Sequence, residues 1–119
     1  MAYIEGFVIP VPQDKKDLYR EMAAKVGELL IEHGAQRLVE AWGDDVPHGK
    51  VTDFHRAVDA QEGESVVFAW IVWPSKQVRE EAHGKIMADP RMQPPDMPMD
   101  GKRMIFGGFE TLLDIGDKV

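Results

Sequence analysis

The spacing of hydrophobic and polar residues changes several times along the chain, and each change marks the start of a predicted element. Runs rich in β-branched and aromatic residues predict four strands, at residues 3–11, 38–44, 65–73 and 103–115. Apolar residues three and four positions apart predict two helices, one between Asp14 and Gly34 and one between Ser75 and Pro90. The chain therefore alternates strands and helices in the order βαββαβ.

Capping residues support the ends of these helices. Asp14 and Ser75 are predicted to accept hydrogen bonds from the first backbone amides, while Gly34 and the Asp89–Pro90 pair end the two helices. A weaker apolar pattern predicts one further short helix at residues 52–59.

This order predicts a ferredoxin-like α+β fold, with a four-stranded antiparallel sheet and both helices on one face. The third strand contains eight consecutive apolar residues, which is expected of a central strand, and the first strand lies beside it. Gly107 and Gly108 in the last strand predict a bulge or a close backbone approach. Residues 1–119 form one predicted domain.

Both faces of the predicted sheet are apolar, although two helices can cover only one of them. In the first strand Phe7 alternates with Val8, and in the third Phe68 and Trp70 alternate with Ile71. An uncovered apolar face usually marks an interface, so we expect a face-to-face homodimer with a cavity where the two sheets diverge. The alternative is a monomer whose insertion at residues 46–60 and Pro- and Met-rich loop cover this face.

Composition narrows the classes of partner. The 119 residues carry a net charge of −7, which argues against nucleic acid and anionic membranes. Cysteine is absent, so disulfides and thiolate metal sites are excluded. No apolar run is long enough to cross a bilayer, and residues 1–12 lack a basic leader pattern, so we expect a cytoplasmic protein.

Aromatic side chains and one carboxylate in the predicted strands form a candidate cavity. Its members are Glu5, Phe7, Trp42, Phe68 and Trp70. Glu5 could act as a general base there, or it could pair with Arg37, Arg56 or Arg103. The tryptophans could form a pocket floor or anchor the core or an interface. Glu40 and Glu110 lie on predicted edge strands, where exposure is the simpler expectation.

Two further groups carry less specific chemistry. A polar cluster is predicted from Asp44, Asp45, His48, Asp53 and His55. Its residue types suit a divalent metal, but the spacing fits no rigid ligand template and resembles a solvated turn, so we predict no metal and no cofactor. The group Met92, Met97, Met99 and Met104 could suggest copper(I) ligation, but adaptable packing of a loop over a dimer contact is the favoured interpretation. His33 is expected to cap the end of the first helix, and His83 is expected on the solvated or flanking face of the second helix.

Several strings in the chain resemble the YbaA-like family of bacterial proteins. They are YIEGFV from residue 3, YREMA from 19, WGDDVP from 42, GKVTDF from 49, PSK from 74, DPRM from 89 and DGKRMIFGGFE from 100. The resemblance covers essentially the whole chain. It implies a fold of the dimeric α+β barrel superfamily, and it supplies no agreed active site.

Together these observations predict a small homodimer that binds or transforms a small apolar or aromatic molecule in the cavity between the sheets. The alternative is a non-catalytic dimerisation or stress-associated interaction module, in which the same aromatic side chains fill the interface. A cavity with convergent polar groups would favour the first hypothesis.

Overall fold

The computed structural model describes residues 1–92 and 97–117, which contain one four-stranded antiparallel sheet and three α-helices. The strands are β1 (Tyr3–Pro12), β2 (Arg37–Trp42), β3 (Glu64–Trp73) and β4 (Ile105–Glu110). The helices are α1 (Lys16–Glu32), α2 (Phe54–Ala57) and α3 (Lys76–Met87). Residues 93–96, inside the predicted Pro- and Met-rich loop, lie outside the described residues.

The strand order is β2-β3-β1-β4, which confirms the ferredoxin-like α+β fold and the central position of the first and third strands. The last strand is shorter than predicted. Its final residue, Glu110, pairs with Tyr3 at the beginning of β1, so residues beyond it have no neighbouring strand to pair with. Residues 111–117 continue without regular structure, and Thr111 donates a hydrogen bond to the carbonyl of Ala2.

One of the two predicted helix caps is confirmed. The Ser75 hydroxyl accepts a hydrogen bond from the amide of Val78 at the start of α3. The prediction for Asp14 is wrong, because Asp14 lies inside a single 3₁₀ turn and α1 begins only at Lys16. The predicted short helix is a single turn, α2, capped by the Asp53 carboxylate on the amide of Arg56.

Helices α1 and α3 pack on the same face of the sheet, called the helix face below. Tyr19 and Ala23 of α1 are buried against β1 and β3, and Ala82 of α3 is buried near Trp73. Gly108 also belongs to this arrangement, since a Cβ atom there would overlap the ring of Tyr3. The strand register is continuous through Gly108, so the predicted close approach is observed and the bulge is not.

The opposite face of the sheet, called the open face below, is covered at one end only. Val58, just after α2, is buried against Val8 and Val66. The ring of Phe54 meets Phe68 edge-on, yet Phe68 remains 47% exposed and Phe109 of β4 is 60% exposed. The insertion therefore shields part of the open face and leaves large apolar side chains uncovered.

Candidate functional site

The five side chains of the predicted cavity lie on two different faces of the sheet. Glu5, Phe7 and Trp42 face the helices, because their cross-strand neighbours belong to the core beneath α1 and α3. Phe68 and Trp70 face the open side. Successive residues of a strand point to opposite faces, so no single cavity can contain all five.

On the open face, Phe68 and Trp70 line a wide depression of about 730 Å³ together with Ile4, Val8, Ile105 and Phe109, and Phe7 also borders it. The lining consists almost entirely of apolar atoms. Such a surface can exclude water and provide dispersion contacts, but it places no acid, base or charged group for chemistry.

Glu5 occupies a separate position beneath α3, where it is 2% exposed. Its Oε1 atom accepts hydrogen bonds from Nε1 of Trp73 at 3.0 Å and from Nε2 of His83 at 3.1 Å. Its Oε2 atom accepts from an Nη atom of Arg79 at 3.1 Å. Three donors satisfy this buried carboxylate, so the cluster acts as a clamp that holds α3 on β1.

This clamp differs from the sequence predictions in two respects. His83 is 40% exposed, as expected of a flanking position, but the sequence did not predict its bond to Glu5. The arginines proposed as partners of Glu5 include Arg56, which pairs with Asp53, and Arg103, which binds Glu64 through two bonds of 2.7 Å. The sequence signal was the four-residue spacing of Arg79 and His83, which places both on one side of a helix.

A cavity of about 290 Å³ lies on the helix face between α1 and the sheet. We call it the methionine cavity, because five of the seven methionines line it: Met22, Met92, Met97, Met99 and Met104. Thioether side chains are flexible and apolar, so they adapt to occupants of different shapes. The sequence predicted that the methionines of the loop pack over a dimer contact, whereas here they lie against α1 and the helix face.

Of the lining residues that lie within 1–92 and 97–117, Tyr19 and Glu40 are the ones with polar side chains. The Tyr19 hydroxyl donates to Oε1 of Glu40 at 2.6 Å. Burial, followed by the bond to Glu40, holds the pKa of Tyr19 above its ordinary value. Burial also raises the pKa of Glu40, and the bond from Tyr19 partly opposes that rise. The pair is therefore a hydrogen-bonding unit that favours its protonated form more than a solvated pair would.

A second cavity of about 400 Å³, called the outer cavity, adjoins the first. Both cavities share Tyr19, Ala23, Leu38 and Glu40 in their linings. The outer cavity adds Trp42 and two cations, Lys16 and Arg20, and the Lys16 ammonium lies 5.3 Å from the centroid of the Trp42 ring. The Tyr19–Glu40 pair thus stands between an apolar interior and a more polar mouth.

The predicted polar cluster is only partly assembled. His48 and His55 stack with their ring centroids 4.5 Å apart, and Nδ1 of His48 lies 3.6 Å from Oδ2 of Asp53. Asp53 is occupied by capping α2, and this bond from Arg56 is the largest cause that lowers its pKa. Nε2 of His55 lies 2.9 Å from the carbonyl of Val46. Asp44 and Asp45 are exposed, so the arrangement stabilises the insertion locally.

A different group of possible metal ligands occurs at Glu32, His33 and Asp89, whose ligand atoms lie within 4.8 Å of one another. Arg91 already bonds both carboxylates at 2.6 Å, so a cationic group occupies this position. His33 itself is the C-cap residue of α1, as the sequence predicted.

The fold and its two helix-face cavities define a small α+β protein with a ferredoxin-like sheet. Residues 2–101 match the family described as "Protein of unknown function (DUF1428)", and the chain belongs to that family. It is 60% identical to the uncharacterized protein YbaA of Escherichia coli K12 over 116 residues, covering 96% of this chain and 99% of that protein. The YbaA of Shigella flexneri matches equally well. The resemblance identified from the sequence is thus confirmed.

A solved structure shares the fold at low sequence identity. A proposed antibiotic biosynthesis monooxygenase from Bacillus cereus superposes with a TM-score of 0.56 at 15% identity, covering 100% of this chain and 99% of that one. Rv0793 from Mycobacterium tuberculosis gives 0.47 at 14% identity, with 97% and 98% coverage. Identity this low shows a common fold only. Within the described ranges, no helix has the length and apolar character needed to span a bilayer.

Proposed function

We propose that the protein is a homodimer that binds a small, largely apolar molecule. The methionine cavity is the proposed binding site, in place of the space between two sheets that the sequence suggested. One observation carries this choice: an apolar cavity of about 290 Å³ converges on a single hydrogen-bonding pair, Tyr19 and Glu40. Apolar walls with few, well-placed polar groups are typical of small-molecule sites.

The open face is the proposed dimer interface. Phe68 and Phe109 are too exposed to be stable in water as a continuous patch, and a second copy pairing face to face would cover both protomers at once. Tyr19 and Glu40 lie on the opposite side of the sheet, so dimerisation through the open face leaves both helix-face cavities available. The cytoplasmic location expected from the sequence stays a prediction.

Sedimentation equilibrium at micromolar protein concentration tests the dimer. We expect twice the protomer mass for the natural protein and the single-protomer mass for the double variant Phe68→Asp, Phe109→Asp. The matched control is Ile31→Asp, which introduces the same charge at a 50% exposed apolar residue of α1 and should leave the dimer intact. A natural protein that sediments as a monomer at this concentration contradicts the proposed interface.

Fluorescence titration with the neutral probe N-phenyl-1-naphthylamine tests the binding site. We expect one probe per protomer, and binding weakened at least tenfold in Ala23→Met, because Ala23 lies in the wall shared by both cavities. Ala88→Met adds the same side chain at an exposed position after α3 and should bind normally. Unchanged binding by folded Ala23→Met, or no binding by the natural protein, overturns the proposed site. Absent binding with an intact dimer supports the interaction-module alternative.

A further inference from the structure

The charge at the mouth of the methionine cavity differs from that of the protein as a whole. The chain has 21 acidic and 14 basic residues. The lining of the outer cavity reverses this balance, with the cations Lys16 and Arg20 and one acid, Glu40. An anion approaching this mouth therefore meets a locally favourable field on an acidic protein.

Of the two cations, Lys16 is the better placed to bind an anionic group. Arg20 already bonds the carboxylate of Asp17 at 3.0 Å. The Lys16 ammonium lies over the Trp42 ring, and no carboxylate oxygen of residues 1–92 or 97–117 comes within 4.0 Å of it. An ammonium held by an aromatic face keeps its charge available for a ligand.

Glu40 does not cancel this preference. Its Oε1 atom already accepts the hydrogen bond from the Tyr19 hydroxyl, so this oxygen is less free to hold a cationic head group. A cationic ligand head would also meet the Lys16 ammonium, which lines the same cavity. An anionic or neutral head group is therefore the better match for the mouth.

The interior sets the size and polarity of the rest of the ligand. The methionine cavity has a volume of about 290 Å³, enough for roughly eight to ten methylene-sized groups at about 30 Å³ each. Among the described residues that line it, only Tyr19 and Glu40 offer a side-chain partner for a polar atom, so a charged group deep among the methionines would lose hydration with little compensation from them.

We propose that the ligand is an apolar monocarboxylate, with its hydrocarbon body in the methionine cavity and its carboxylate in the outer cavity beside Lys16. The Tyr19–Glu40 pair lies along the ligand where body and head meet. This inference rests on the proposed function, and it adds the class and the orientation of the bound molecule.

The proposed ligand class is tested with three molecules that have the same hydrocarbon chain and different head groups: decanoate, decanol and decylamine. Each is used below the concentration at which it aggregates, and its binding is measured by displacement of N-phenyl-1-naphthylamine at pH 7.5. We expect decanoate to bind about tenfold more tightly than decylamine and more tightly than decanol. Added salt should weaken the binding of decanoate and leave the binding of decanol unchanged, because salt screens only the charged head group.

Substitution of the lysine separates the charge from the cavity. Lys16→Gln should weaken the binding of decanoate about three- to tenfold and leave the binding of decanol unchanged. The loss is modest because the ion pair between Lys16 and the ligand carboxylate would be partly exposed. Lys25→Gln makes the same charge change on the same helix, outside both cavities, and should alter neither.

The outcomes distinguish the two proposals. If the natural protein binds decanol as tightly as decanoate, or if Lys16→Gln weakens both equally, the carboxylate inference is wrong and the apolar site stands. Tightest binding of decylamine would assign the head group to Glu40 instead. If neither the neutral probe nor any of the three ligands binds, the proposed function itself fails.

Discussion

Replacing Glu5 by glutamine tests the physical role of the buried clamp most directly. Glutamine has nearly the same shape, but it carries no charge and presents an NH₂ group in place of one carboxylate oxygen. One of the three donors, on Trp73, His83 or Arg79, must then point at this NH₂ group, which is itself a donor and cannot accept the bond. The guanidinium of Arg79 loses its counterion at a site that is only 15% exposed.

The size of the effect follows from the burial. Removing one partner of a buried ion pair costs about 3 to 5 kcal/mol, and the partial exposure of His83 places the expected loss near the lower end, about 3 kcal/mol. For 119 residues the unfolding entropy is about 0.25 kcal/mol per kelvin, so Tm should fall by roughly 12 °C.

Calorimetry at pH 7 and a fixed protomer concentration measures this shift, because the stability of a dimer depends on concentration. Glu110→Gln makes the same chemical change on exposed β4 and should alter stability by less than about 0.5 kcal/mol. The double variant Glu5→Leu, Arg79→Met should regain part of the loss, since no unpaired arginine charge remains but the indole NH of buried Trp73 still lacks its acceptor. If Glu5→Gln lowers Tm by less than about 3 °C, the proposed role of Glu5 in holding α3 on β1 is wrong. Probe binding below Tm should be unaffected, because Glu5 lines neither helix-face cavity.

Three further predictions concern single contacts. Glu64→Gln should lower stability at pH 7. The hydrogen bonds from Arg103 hold the pKa of Glu64 in the folded protein below its ordinary value of 4.5. The carboxylate therefore stabilises the fold above pH 4.5, and this contribution is lost as the pH falls through the pKa of the folded state. Acid titration of unfolding should therefore show natural and variant proteins converging. Gly108→Ala should destabilise by about 1 to 3 kcal/mol through overlap with the ring beside it, whereas Gly84→Ala, in open space on α3, should stabilise by about 0.5 to 1 kcal/mol; urea unfolding compares the two. Ser75→Ala should cost about 1 kcal/mol in the same assay, because the cap of α3 is lost.

The fold was largely predictable because it depends on periodicity and topology. The eight-residue apolar run in β3 predicts an interior strand, and β3 does lie between β2 and β1, although its open face is only partly covered. Element ends depend on local competition instead. Asp14 has the chemistry of a cap, but the preceding turn closes one residue after it and α1 starts at Lys16. No pattern in the sequence separates these two possibilities.

The candidate site was less predictable because it requires long-range pairings. Strand alternation does assign Glu5 and Phe68 to opposite faces once the register is known, but the sequence alone left them in one cavity. The bond between Tyr19 and Glu40 joins residues 21 positions apart, and the methionine cavity joins α1 to the segment before β4. Such contacts follow from how α1 sits on the sheet, which propensities do not specify.

The two consequences of Ala23→Met have opposite signs, and this opposition separates a binding cavity from loose packing. A longer side chain at Ala23 fills apolar space in the shared wall, and cavity filling commonly adds about 0.5 to 2 kcal/mol of stability. The same side chain occupies the volume that a ligand needs. A variant that melts at higher temperature and no longer binds the probe indicates that small residues are kept at this wall for binding, since packing alone would favour the larger one. A variant that loses both stability and binding indicates instead that the wall around Ala23 is already packed to its limit.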